Sequence, residues 1–291
     1  MASSCRIEAV TSAEDPRLLD YAQAREPDEL RRRGVFLAES REVVAALIRA
    51  RRFGVRSLLL AEGMLASLEE ELGMLEDTTP VFVAERGLMT GIVGYTVHRG
   101  CLAAGERGPG LKLNDLLTAP CAEASYGGPP EGVLPGSRLM VALEAVSNPD
   151  NVGGIFRNAL AFGADGVVLG PGCADPLYRK AIRTSMAASL RAPFAAVPDL
   201  PGALRELRAA GFFVAALTSR KQPATELGDF AREARRERLV LVTGSEGAGL
   251  SPAVLGEADA AVRIPMAPGV DSLNVATATG IALHELALLR G

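Results

Sequence analysis

From Leu139 to the C-terminus, short apolar runs alternate with stretches whose apolar residues recur at three and four, and this alternation limits the fold more than any other feature. Leu139–Val146, Gly166–Leu169, Phe194–Val197, Phe212–Leu217, Leu239–Thr243 and Ala260–Ile264 read as strands. Asn151–Ala161, Asp175–Leu190, Leu204–Ala210 and Ala276–Leu289 read as helices. Strands separated by helices do not close as hairpins, so the pattern predicts a mainly parallel α/β sheet covered on both faces. In such a sheet a ligand sits at the carboxyl ends of the strands.

A smaller alternating module comes first. Phe36–Ser40 and the runs Val55–Ala61 and Pro80–Ala84 are of strand type. Ser40 is placed to cap a helix that buries Val43, Val44, Leu47 and Ile48 and that Gly54 closes, and Met64–Leu75 is a second amphipathic helix. Residues 105–136 change character, being rich in Gly, Pro and Ala and poor in periodic apolar residues, which marks a linker. The expected organisation is an N-terminal α/β domain over 1–104, a Gly/Pro-rich linker over 105–136 and a larger α/β domain over 137–291.

Composition removes several function classes. No apolar run approaches the ~18 residues of a spanning helix, and the N-terminus lacks a basic region followed by an apolar core, so a cytoplasmic location is expected. Cys5, Cys101, Cys121 and Cys173 are scattered, and only His98 and His284 supply imidazole, so neither a metal site nor a histidine-dependent hydrolase is expected. The net charge of −4 divides as −3 over 1–104, −2 over 105–136 and +1 over the remainder, so a polyanion would meet local basic patches rather than a basic whole. Arg31, Arg32 and Arg33, Arg41 with the Arg49–Arg56 group, and Arg179, Lys180, Arg183 and Arg191 are the candidates.

Three strand ends carry unusual residues. The first, SNPDNVGGIFRN over 147–158, stops a strand at Pro149, offers Asp150 or Asn151 as a cap and projects Arg157 from the following helix. The second, LVLVTGSEGAGLS over 239–251, follows a buried strand with a glycine-rich turn holding Glu246. It has the outline of a phosphate-binding loop, but Leu250 stands where that motif needs Lys, and no GxGxxG fits these glycines. The third, IPMAPGVDSLNVATATG over 264–280, brings Ser272 and Asn274 to a helix start.

Together these motifs resemble the SpoU/TrmH branch of the SPOUT RNA methyltransferases. Pro149, Asn151, Gly153, Ile155 and Arg157 match the family's first motif. Gly244, Glu246, Gly249 and Leu250 match the second, and Ile264–Met266 with Ser272–Val275 the third. Two positions depart from the family's pattern: Ala276 replaces its usual Ser, and in the front module, which resembles a ribosomal-protein-like substrate-binding domain, Ser40 replaces its usual Gly. The resemblance implies a C-terminal trefoil knot, a homodimer, S-adenosylmethionine as methyl donor and a ribose 2′-hydroxyl of structured RNA as acceptor, ribosomal RNA being favoured over transfer RNA. It implies a cofactor site at Leu217, Thr218, Gly244, Glu246, Gly249, Ile264, Met266, Ser272 and Leu273. The reaction would fall to Asn151, Arg157, Glu246, Ser272 and Asn274, with Glu246 orienting Arg157 or its loop, and RNA would meet the basic residues. The rival reading is a non-catalytic RNA-binding or ribosome-assembly protein on the same scaffold.

Overall fold

The computed structural model describes residues 6–97, 99–118, 137–219, 224–233 and 237–287, so Cys5, His98, Cys121 and linker residues 119–136 lie outside it. Two compact units make up the chain: Met1–Pro109 with Leu177–Arg191, and Gly110–Pro176 with Ala192–Gly291.

The first unit runs β1 (Arg6–Ala9), α1 (Leu19–Ala22), α2 (Pro27–Arg32), β2 (Val35–Glu39), α3 (Arg41–Ala50), β3 (Val55–Leu60), α4 (Glu69–Leu72), β4 (Pro80–Val83), α5 (Arg86–Val93) and β5 (Cys101–Glu106). Its sheet has the order β1-β4-β3-β5-β2, with β5 antiparallel to both β3 and β2. Leu37, Leu59, Phe82 and Leu102 pack with Leu18, Tyr21 and Met89 to form one face of its core. The alternating pattern finds β2, β3 and β4 but passes over β5, whose sequence CLAAGE offers small residues rather than large apolar ones. Glycine is required at 105, because a Cβ there would lie 2.3 Å from a Phe36 ring carbon.

Helix α3 starts as expected, with the Ser40 hydroxyl accepting from the Val43 N–H at 3.4 Å. It ends differently: Arg51, at φ 51°, supplies the left-handed C-cap in place of Gly54. Gly54 has another role, since a Cβ there would stand 2.9 Å from the Glu106 carboxylate.

The second unit opens with α6 (Leu113–Thr118), a helix inside the stretch expected to be linker. Leu113 and Leu116 drop into its core. There follow β6 (Arg138–Glu144), α7 (Pro149–Ala161) and β7 (Gly166–Leu169). The segment that belongs to the first unit then gives α8 (Arg179–Thr184) and α9 (Ala188–Arg191). One continuous helix was expected over 175–190; Met186 and Ala187 instead take φ of 50° and 65° and break it.

The chain continues with β8 (Phe194–Ala196), α10 (Leu200–Ala209), β9 (Phe213–Leu217), β10 (Thr225–Glu226), α11 (Leu227–Glu233), β11 (Arg238–Gly244), α12 (Pro252–Gly256), β12 (Ala260–Arg263) and α13 (Val275–Ala287). The sheet is parallel throughout, in the order β10-β12-β9-β11-β6-β7-β8. Strand β11 lies between β9 and β6, with Val240 level with Met140 and Val214. This order sets the carboxyl ends of β6, β11, β9 and β12 side by side, and the three motifs leave from those ends.

Candidate active site

The glycine-rich turn after β11 is folded by its own backbone. The Gly249 N–H donates to the Ser245 carbonyl at 3.0 Å, and Gly249 takes φ 69°. A Cβ on Gly244 would sit 2.5 Å from the Gly249 carbonyl oxygen, so the loop closes this tightly only with glycine at 244. Beyond the turn, the Ser251 hydroxyl caps α12 at the Val254 N–H, and the Ser251 N–H donates to a Glu144 carboxylate oxygen at 2.8 Å.

This turn forms one wall of a half-open cleft. Its other walls are the end of β9 at Leu217, Thr218 and Ser219, and the stretch from Ile264 to Ala278. All nine residues expected to hold the cofactor line it. Leu250, Leu255 and Val275 extend its apolar lining, and Glu246 is the single charged residue of the lining among the described residues.

At the cleft the three motifs meet through side chains. The Asn151 amide donates to Glu246 Oε1 at 2.8 Å, and the Asn274 amide donates to the same oxygen at 2.9 Å and to Asn151 Oδ1 at 2.9 Å. Asn274 Oδ1 in turn accepts from the Ala276 and Thr277 N–H groups at 3.0 and 3.2 Å, capping α13. Asn274 therefore caps the last helix and ties it to the loop after β11. Ser272 faces the cleft and makes no hydrogen bond to a described residue.

Ala276 points away from the cleft lining and towards α7. A Cβ on Gly154 would stand 2.9 Å from the Ala276 methyl, and the Asn158 amide donates to the Ala276 carbonyl at 2.8 Å. The departure from Ser at 276 thus falls at a tight helix pair rather than on the cleft wall.

The model for the SpoU rRNA Methylase family matches residues 138–284 of this chain. The chain belongs to that family. An uncharacterized tRNA/rRNA methyltransferase of Mycobacterium tuberculosis is 36% identical over 283 residues, covering 96% of this chain and 91% of the relative. A second, from Synechocystis, is 29% identical over 280 residues, covering 96% and 93%. Among solved structures, an AdoMet-bound rRNA methyltransferase from Sinorhizobium meliloti superposes with a TM-score of 0.78 at 25% identity, covering 96% of this chain and 97% of that one.

In this SpoU-family chain Arg157 stands apart from the hydrogen-bonded junction. It lies six residues beyond Asn151 on α7, about 9 Å along the axis, is exposed, and has neither a hydrogen bond nor an ion pair to any described residue. Glu246 bonds Asn151 and Asn274 and makes no hydrogen bond or ion pair with Arg157 among the described residues.

The basic residues separate by partner. Arg33 is held by Asp20 at 2.8 Å, Arg32 pairs with Glu29 at 2.9 Å, and Arg41 donates to the Ser67 carbonyl. Arg179 pairs with Glu39 at 2.8 Å and lies 4.1 Å over the Tyr95 ring, whose hydroxyl burial pushes up to about 12. Lys180 is exposed. The guanidinium groups of Arg31 and Arg183 are exposed and unpaired among the described residues. No cluster of His, Cys, Asp and Glu able to hold a metal occurs among the described residues, and no described helix is long and apolar enough to cross a membrane. Sequence reasoning missed Glu144 and Asn158; each is a polar residue set against a glycine-bearing close approach, a pairing visible only once the strands and helices are in register.

Proposed function

We propose that the protein transfers a methyl group from S-adenosylmethionine to a ribose 2′-hydroxyl of structured RNA, ribosomal RNA being favoured over transfer RNA. The observation that carries this reading is the junction of Asn151, Glu246 and Asn274 at a cleft lined by all nine residues expected for the cofactor. The lining suits the cofactor. Apolar side chains at Leu217, Leu250, Ile264 and Leu273 accept a flat adenine, a loop of small residues exposes backbone groups, and one carboxylate is available to a cation.

When bound, the cofactor supplies a methyl group on a positively charged sulfur. The ribose oxygen forms the new O–C bond, the C–S electron pair stays with sulfur, and the hydroxyl proton passes to solvent. Asn151, Glu246 and Asn274 hold the loop and the start of α13 in one arrangement, so that cofactor and acceptor meet without further ordering. Ser272, free in the cleft, donates to the ligand. Arg157 presents a planar fork of N–H donors and so acts as a donor rather than as a base. Its role is to grip a phosphate beside the target ribose and offset the negative charge developing on the oxygen.

The first unit serves as the RNA-docking domain, with Arg31 and Arg183 making phosphate contacts and Arg32, Arg33, Arg41, Arg179 and Lys180 as the wider basic surface. Two further features of the family complete the proposal. A C-terminal trefoil knot enters the proposal through the family match over residues 138–284. A homodimer is supported by α13, which is apolar on more than one face and leaves Ile281 39% exposed. The test is to map 2′-O-methyl marks in total RNA from cells with and without the protein. One ribosomal mark is expected to disappear; an unchanged map would overturn the reading in favour of a non-catalytic scaffold.

A further inference from the structure

We infer that Glu144 is a positioning residue for the cofactor loop, an inference that rests on the reading of the cleft as the S-adenosylmethionine site. Glu144 ends β6 and lies level with Gly244, the first residue of the glycine-rich turn. Its carboxylate reaches past that turn to accept the Ser251 N–H at 2.8 Å, just where the chain leaves the loop for α12. The loop is thus tied down twice. On the cleft side Asn151 and Asn274 hold Glu246, and at the exit Glu144 holds Ser251.

The second tie has a geometric purpose. Between Gly244 and Leu250 the chain turns back so sharply that the backbone at 249 fills the space where a Cβ at 244 would stand, and a Ser245–Gly249 bridge spans the turn. Seven consecutive residues, Gly244–Leu250, line the cleft. If Ser251 drifts, the whole wall drifts with it. Glu144 itself is absent from the lining, so it acts through the loop rather than on the ligand.

What the loop needs from position 144 is an acceptor at this reach, not a negative charge. Glu144→Gln keeps an acceptor oxygen at the same distance, whereas Glu144→Asp keeps the charge but withdraws it by one methylene. Calorimetry with S-adenosylmethionine on the full chain separates the two. Glu144→Gln is expected to bind within about threefold of wild type. Glu144→Asp, which retains volume and charge enough to fold, is expected to lose at least tenfold, with the KM for cofactor rising and the KM for RNA unchanged. Equal affinity of Glu144→Asp and wild type, or an equal loss in both variants, would overturn the inference. Failure of the wild-type protein itself to bind would instead strike the reading of the cleft.

Discussion

Ser40 carries a cost that its neighbours do not relieve. At φ 92° and ψ 153° it occupies backbone space that glycine enters freely and a side chain does not, and its cap to Val43 is long at 3.4 Å. Ser40→Gly is therefore expected to stabilise the protein by about 1 kcal/mol, the relief of strain exceeding the lost cap and the added chain entropy. Thermal unfolding checks this, and a lower midpoint would count against it. Asn274 is the opposite case, a residue whose two ends do two jobs. Asn274→Asp keeps the oxygen that caps α13 but loses the amide that holds Asn151 and Glu246, and brings a second carboxylate up to Glu246. The expected result is a midpoint close to wild type with methylation reduced at least tenfold; full activity would show that the junction is dispensable. At this scale the sequence was informative where a motif names a residue, as for Asn151, Glu246 and Asn274. It was silent on the geometry: Asn274 was legible as a cap, but its bond to Glu246 spans 28 residues and depends on β11 and β12 both flanking β9.

Among elements, α6 shows why the stretch after the first unit is more than a tether. Buried Arg138 donates to the Leu116 carbonyl at 2.7 Å and the Leu117 carbonyl at 3.3 Å, satisfying the C-terminal end of that helix, and faces Asp165 at 3.6 Å. Asp165 in turn accepts the Leu139 N–H at 2.7 Å. Arg138→Ala would strand the Asp165 charge in the interior and is expected to cost about 3–5 kcal/mol, read from urea unfolding; a loss below 1 kcal/mol would contradict this account. Six residues with two buried leucines are too few to give a helical period, so the Gly/Pro-rich surroundings dominated the reading of this region. The break between α8 and α9 was equally hidden, because MAAS holds neither Gly nor Pro to mark it, yet Met186 and Ala187 take positive φ. By contrast the six strands of the second unit's core were legible, since buried parallel strands are near-continuous apolar runs. Two-residue β10 left no such trace.

For the molecule as a whole, pH and salt probe different groups of the first unit. In the first unit burial raises Cys101 to about 12 and moves the Tyr21 hydroxyl, bonded to Ser57, upward as well. Both groups hold their protons more tightly folded than unfolded. Their contribution to stability is therefore complete below the ordinary thiol value near ~8.5 and is lost as pH rises from there towards 12. A thermal midpoint steady from pH 7 to 8 and falling above 9, with a shallower fall in Cys101→Ala, is expected; a midpoint rising above pH 9 would refute it. RNA affinity should weaken as salt rises, because Arg31 and Arg183 offer unpaired guanidinium groups to phosphates. The central claim concerns what the cleft and its junction do together. Incubating the protein with ribosomal RNA and methyl-labelled S-adenosylmethionine, then digesting the RNA to nucleosides for mass spectrometry, tests it most directly. The account predicts label on a single 2′-O-methylnucleoside, abolished by Arg157→Ala while cofactor binding persists; label on a base, or undiminished label with Arg157→Ala, would contradict it.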